Sequence, residues 1–172
     1  KKIEKILFKL NKKTAVWNEA VTSIKSKGPT NSQALIFAWE NIQKGIMAAK
    51  KGSEIILGPA QICYFDMAYT DSVDERGLLW AGTIETKDVF NWDPISKKTY
   101  KIREKIKGIQ GHLWSETITN INFMDIMINP RLIALSEVAW SKANRRKWLD
   151  FRSILLKIVR ITKSMGWKHH RF

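Results

Sequence analysis

Three short apolar runs in this chain end in a tryptophan with a carboxylate close behind it: Ala15-Val16-Trp17-Asn18-Glu19, Ile36-Phe37-Ala38-Trp39-Glu40 and Ile109-Gln110-Gly111-His112-Leu113-Trp114-Ser115-Glu116. An indole presents a flat apolar face, and a carboxylate accepts hydrogen bonds from hydroxyls. A pyranose ring has an apolar C–H face and an edge of hydroxyl groups, so it needs both. Each run reads as a strand that delivers an indole and an acid to one end. The chemistry expected is carbohydrate binding in a pocket at the ends of several strands.

The elements that must position these residues follow from hydrophobic periodicity. Ile3, Ile6, Leu7 and Leu10 have helical spacing. Thr14–Trp17 reads as a strand, followed by a polar stretch with a turn at Gly28-Pro29. Ala34–Trp39 is nearly all apolar, as expected of a strand buried on both faces of a parallel sheet. Ile42, Ile46 and Ala49 mark a helix that Gly52 is placed to end, and Glu54–Leu57 is a third strand stopped by Gly58-Pro59. Tyr69 to Tyr100 reads as irregular, with turns at Arg76-Gly77 and Trp92-Asp93-Pro94, and Gly108–Leu113 as a fourth strand. Asn122–Trp140 is an amphipathic helix bent or broken at Pro130. Trp148, Phe151, Leu155, Ile158 and Thr162 line a last helix that Gly166 ends. Apolar strands alternating with helices mean parallel βα units. The expected class is α/β: a partial (β/α)8 TIM barrel of about four βα units plus C-terminal helices. The chain is expected to form a single segment, with βα units over 1–140 and a closing C-terminal helix over 141–172.

The composition bounds the function classes. A hydrophobic fraction of 44% over 172 residues suits one folded domain. No apolar stretch reaches the roughly 18–20 residues that span a bilayer, so no membrane partner is expected. No targeting segment is visible, and the sequence begins with Lys1 rather than Met, so an upstream region is expected and the compartment stays open. Cys63 is the single cysteine, which excludes an internal disulfide, and its apolar neighbours mark it as a buried small hydrophobe. His112, His169 and His170 show no metal-ligand spacing, so neither metal nor cofactor is expected. The net charge of +14 is the one argument for a nucleic-acid partner. The lysines are spread along helix surfaces and turns without a nucleic-acid motif, which weighs against it.

The ordered motifs Ala15-Val16-Trp17-Asn18-Glu19, Phe37-Ala38-Trp39, Tyr64-Phe65-Asp66, Leu79-Trp80-Ala81-Gly82, Gln110 to Glu116 and Asn129 to Ser141 together resemble the C-terminal half of the β-N-acetylhexosaminidases of glycoside hydrolase family 20. The resemblance implies removal of terminal non-reducing β-linked GlcNAc or GalNAc by a substrate-assisted retaining mechanism. It implies that Trp17, Trp39 and Trp114 wall the sugar and its acetamido methyl. It implies that Tyr64 orients the acetamido oxygen as nucleophile, that Asp66 and Glu116 bind sugar hydroxyls, and that Trp80 borders the next sugar. N-acetylhexosamine-containing glycans are the implied partner.

One motif of that family is missing. The family's catalytic pair lies in His-x-Gly-Gly-Asp-Glu, and this sequence has none; its one adjacent Asp-Glu pair, Asp74-Glu75, lacks the glycines and reads as a decoy. The chain is therefore expected to begin just after that motif, to need an N-terminal half of the barrel, and to be inactive alone. A non-catalytic sugar-binding module and half of a split enzyme are the alternatives. The residues also admit purely structural readings. Trp39 and Trp114 are then core indoles, Tyr64 a packed tyrosine, Asp66 a lysine's partner and Glu116 a helix cap; against the packed reading, the phase of Tyr64 and Asp66 places both on one side of an extended segment, which favours a shared pocket. Glu19, Glu40, Arg131 and Glu137 are assigned to structure.

Overall fold

A computed structural model describes residues 2–22 and 34–172. The turn read at Gly28-Pro29 lies outside the described residues. The chain gathers into two compact units, residues 1–60 with 94–110 and residues 61–93 with 111–172.

The first unit is built on a sheet of four parallel strands in sequential order, β1 (Ala15–Trp17), β2 (Leu35–Ala38), β3 (Glu54–Leu57) and β4 (Ile106–Ile109). Helices α1 (Lys2–Lys9), α2 (Glu19–Thr22) and α3 (Ile42–Lys50) alternate with the first three strands. Parallel strands joined through helices are the architecture of a partial (β/α)8 barrel. Trp17 pairs with Phe37, Ala38 with Leu57, and Leu57 with Ile109, so the ends of the strands are in step.

Strand β2 is not buried on both faces. Ile36 and Ala38 are buried and Leu35 and Phe37 half-buried, and β3 repeats the alternation with Ile55 and Leu57 inside. The buried face lies against α3, where Gly45 allows close approach: a Cβ there would stand 2.9 Å from Leu57 Cδ2 and 3.1 Å from the Ala38 Cβ. Asn41 caps α3 by accepting from the Lys44 N–H, and Gly52, at φ 94°, reverses the chain after it.

Strand β4 begins at Ile106, earlier than Gly108–Leu113. A 3₁₀ turn over Tyr100–Lys105 brings Ile106 opposite Ile55, and the ladder ends at Leu57–Ile109. His112 then makes its own bridge, to Tyr64, in the second unit.

The second unit contains α5 (Thr86–Asn91), α6 (Ile121–Ile128), α7 (Arg131–Trp140) and α8 (Trp148–Ser164), and α4 (Ala60–Cys63) leads into it. Its core includes Phe65, Met67, Tyr69, Ile84, Phe90, Met127, Leu155 and Phe151, with Phe90 and Phe151 stacked 4.5 Å apart. Helix α5 falls inside the stretch read as irregular. Its reciprocal cap uses two acids, Glu85 and Asp88, where the usual signature has Ser or Thr first. The helix read over Asn122–Trp140 is two helices divided at Asn129-Pro130, where proline has no N–H to continue the first.

Candidate functional site

In the first unit, Trp17 follows from β1 and Trp39 from β2. Trp17 tilts against Phe37 with ring centroids 5.6 Å apart and is 40% exposed, so its indole keeps an open face. The Trp39 indole N–H donates to Glu19 Oε1 at 2.9 Å. The fully buried Asn18 ties the two strand ends together. Its Oδ1 accepts the Trp39 N–H at 3.0 Å, and its Nδ2 donates to Glu40 Oε1 at 2.6 Å. Both acids therefore act as structural acceptors that fix Trp39 and the β1–β2 end. Asn18 was not singled out from the sequence, although its place between Trp17 and Glu19 was the available signal.

The second unit brings Tyr64, Asp66, Trp80 and Trp114 together. The Phe65 N–H donates to the His112 carbonyl at 2.7 Å and the His112 N–H to the Cys63 carbonyl at 2.8 Å. This short parallel bridge fixes Tyr64 beside the His112–Trp114 segment. The Tyr64 ring lies 5.8 Å from Trp80, edge to face, 4.9 Å from His112 and 6.2 Å from Trp114. The His112 and Trp114 rings are parallel within 1° at 6.3 Å. Tyr64 is 4% exposed, while Trp80 and Trp114 are about half open at 56% and 42%. Exposed indole faces beside a buried phenol form a surface on which an apolar ring face can stack.

Asp66 is buried, and its Oδ1 accepts the Trp114 backbone N–H at 3.5 Å. Segment 64–67 is a tight turn closed by Met67 N–H to Tyr64 O at 3.3 Å, not an extended strand. Tyr64 and Asp66 thus meet at Trp114 through that turn rather than through strand alternation. Burial lifts the Asp66 carboxyl above its ordinary range. Its own N–H and that of Trp114 oppose this, Glu116 adds to it, and Arg131 lowers it. Glu116 is exposed and acts on Asp66 through its charge. It caps no helix; Asn120 caps α6 by accepting from the Phe123 N–H at 2.9 Å. Burial also holds His112 below its ordinary pKa, so the ring is neutral at pH 7.

Two features set the Asp66 turn. Arg131 is fully buried and its guanidinium donates to the carbonyls of Phe65, Met67, Ile84 and Met127, so it grips both residues flanking Asp66. The cation lies 3.7 Å over the Tyr69 ring, whose hydroxyl donates to the Ile126 carbonyl at 2.9 Å. Gly77 is the second. At φ 121° it lets Leu78 N–H reach Asp66 O at 2.8 Å, and a Cβ there would sit 2.7 Å from the Ala68 backbone nitrogen. The turn at Arg76-Gly77 thereby carries Trp80 back onto the Asp66 segment. Gly77→Ala combines a left-handed φ with a clash against fixed backbone, and is expected to cost about 2–4 kcal/mol. Urea unfolding of the variant measures this; a loss below about 0.5 kcal/mol would show that the turn relaxes freely. Asp74-Glu75 belongs elsewhere: Glu75 Oε2 meets His170 Nε2 at 2.9 Å.

Among the described residues no cluster of three or more His, Cys, Asp or Glu can hold a metal, and no helix is long and apolar enough to cross a membrane. The two groups of residues offer indole faces on which an apolar ring could stack and carboxylates that could accept hydrogen bonds.

Comparison with known proteins places this chemistry in a family. The family model for the glycosyl hydrolase family 20 catalytic domain matches residues 1–143. A β-N-acetylhexosaminidase of Cellulomonas fimi is 33% identical over 125 residues, which cover 73% of this chain and 25% of that protein. A β-hexosaminidase of Vibrio furnissii is 33% identical over 135 residues, 77% of this chain and 21% of that one. The chain thus spans a quarter or less of these relatives' length. A crystal structure of the family 20 exo-β-N-acetylglucosaminidase of Vibrio harveyi in complex with N-acetylglucosamine matches with a TM-score of 0.89 at 31% identity, over 98% of this chain and 26% of that one. The family 20 β-N-acetylhexosaminidase of Streptomyces coelicolor matches with a TM-score of 0.83 at 28% identity, over 99% of this chain and 35% of that one. With its family match running over most of its length, the chain belongs to glycosyl hydrolase family 20, as part of the catalytic domain.

Proposed function

We propose that this chain serves a β-N-acetylhexosaminidase that removes terminal non-reducing GlcNAc or GalNAc from glycans, and that its share of the work is holding the sugar. The observation that carries this is the meeting of Tyr64, Asp66 and two half-open indoles at Trp114. In the substrate-assisted reaction the acetamido oxygen attacks the anomeric carbon, the glycosidic C–O bond breaks, and a general acid gives the leaving oxygen its proton. Water then opens the oxazolinium ion with retention. Tyr64 is proposed to hold the acetamido oxygen in line by a hydrogen bond, a positioning role that also stabilises charge in the transition state. Trp114 is proposed to stack on the sugar, Asp66 and Glu116 to accept hydrogen bonds from that sugar's hydroxyls, and Trp80 to border the next sugar. Trp17 and Trp39 of the first unit are assigned to sugar contact in the same proposal.

The sequence holds no His-x-Gly-Gly-Asp-Glu, so the general acid and the acetamide-orienting aspartate are proposed to come from an N-terminal half of the barrel. The 172-residue chain by itself is then expected to bind without cleaving, since it lacks the groups that make the transition state. N-acetylglucosamine should quench indole fluorescence saturably, and the quenching should persist in high salt and fall in Trp114→Ala. An aryl N-acetyl-β-glucosaminide should stay intact until a half-barrel bearing Asp-Glu is co-expressed. Robust turnover by the chain alone that Glu116→Gln abolishes would overturn the division of labour. Binding without rescue would favour a sugar-binding module, and binding only of single-stranded nucleic acid at low salt would sink the sugar reading.

A further inference from the structure

After α8 the chain turns back across its own unit, and residues 167–172 lie beyond the residues 1–143 that the family model matches. The segment is tied down at successive positions. The Lys168 N–H donates to Asp125 Oδ2 at 3.2 Å, and the His170 N–H to the Asn129 carbonyl at 2.9 Å. His169 Nε2 meets Thr162 Oγ1 on α8 at 2.8 Å.

Two routes run from His170 to the turn that carries Asp66. The first goes through Tyr69. The His170 ring stacks on it at 3.7 Å within 3° of parallel, and the Arg131 guanidinium also stands 3.7 Å from the Tyr69 ring centre. Two groups at that distance cannot share one face, so the ring is held between them. The Tyr69 hydroxyl meets the Asn129 carbonyl at 3.0 Å, the same oxygen that accepts the His170 N–H. Arg131 in turn holds the carbonyls of Phe65 and Met67, on either side of Asp66.

The second route goes through Glu75, whose Oε2 accepts from His170 Nε2 at 2.9 Å. The side chains of His170 and Glu75 are only 20% and 15% exposed, so this pair is screened less than one in open solvent. Residues 71–74 face solvent, which leaves Glu75 to anchor that loop, with Arg76 lying more loosely over Phe123 at 5.4 Å. Glu75 stands two residues before Gly77, after which the Leu78 N–H returns to the Asp66 carbonyl at 2.8 Å and the chain runs on to Trp80.

We propose that His170, together with Glu75, is a positioning residue for the sugar site: it fixes the turn that carries Asp66 and the segment that carries Trp80. It acts through Tyr69, Arg131 and Glu75 rather than by touching sugar. The proposal rests on the reading of Tyr64, Asp66 and Trp114 as holders of the sugar.

Two measurements on the full 172-residue chain test it. The first is indole quenching by N-acetylglucosamine at a temperature where circular dichroism shows each variant folded. His170→Ala removes both routes and should weaken binding about tenfold, while His170→Phe keeps the stack, His170→Gln keeps a donor for Glu75, and each should recover part. Glu75→Ala should add little in the His170→Ala background, because the two side chains form one link. Thr162→Val loosens the same segment at His169, and should lower the transition temperature without moving the affinity. The second measurement is amide hydrogen exchange, which reads the turn with no sugar present. His170→Ala should quicken exchange at the Leu78 and Trp114 N–H groups, which donate to Asp66, about tenfold more than at Val159 in α8. The phenylalanine variant carries both comparisons should the alanine variant not fold. Equal quickening at all three amides, or an affinity that falls no further for His170→Ala than for Thr162→Val, would show that His170 only adds stability and would overturn the proposal. A parent chain without saturable quenching would sink the sugar reading instead, and the exchange comparison would still decide whether His170 sets the Asp66 turn.

Discussion

Arg131→Met is expected to remove about 3–5 kcal/mol of stability, enough to leave much of the chain unfolded or insoluble. The size follows from what the guanidinium holds. Five hydrogen bonds run from it to the carbonyls of Phe65, Met67, Ile84 and Met127. A methionine of similar length would take the guanidinium donors from those buried oxygens, leaving Met127 O only the Tyr69 hydroxyl at 3.3 Å. Burial lowers the Arg131 pKa, while Tyr69 and then Asp66 and Glu75 act to raise it. Arg131→Lys should rescue little, because an ammonium cannot reproduce a planar fork reaching in several directions. Urea unfolding of both variants beside Lys101→Met checks this. A loss below about 1 kcal/mol for Arg131→Met would mean that the carbonyls find water or other donors. Because the grip falls on Phe65 and Met67, partly folded variants should also lose Asp66 placement, and with it sugar binding.

The strands and most helices were legible because their signals are local. Apolar runs between turn residues locate β2 and β3, and 3.6-residue spacing locates α3, α7 and α8. The candidate residues stood out as types in order: an indole or an acid at a strand end carries its possible chemistry in its identity. What was not legible depends on partners distant in sequence. β4 begins at Ile106 because Ile55 lies opposite it, and nothing in Ile106-Lys107 announces that pairing. Tyr64 and Asp66 share Trp114 through a turn closed at Met67 and pinned by Gly77, so strand alternation reached the right neighbours by the wrong geometry. Asn18 lies between an indole and an acid in the sequence. Its role exists only when β2 arrives to offer the Trp39 and Glu40 N–H groups. Helix α5 was hidden because its cap exchanges Glu and Asp, residues the loop composition already explained.

Asp66→Asn is expected to stabilise the fold at neutral pH and, in the same protein, to weaken N-acetylglucosamine binding about tenfold to a hundredfold. Burial is the largest influence on this carboxyl and raises its pKa. The N–H groups of Asp66 and Trp114 pull the other way, Glu116 pushes up, and Arg131 pulls down. A raised pKa means that the fold prefers the protonated acid. The contribution of Asp66 to stability is therefore complete below the ordinary aspartate pKa of about 3.9, and it is lost as pH rises through the raised value. Asparagine keeps an oxygen for the Trp114 N–H without the charge, so the variant should escape that loss and unfold at a higher temperature than the parent at pH 7. Transition temperatures of both proteins from acid to neutral pH give the first readout, and indole quenching by N-acetylglucosamine gives the second. An aspartate kept only for packing would show a variant that is less stable with unchanged binding. A carboxylate held ionised to receive sugar hydroxyls should show the opposite on both counts, because the desolvation that makes it a strong acceptor is also what the fold gives up to keep it there.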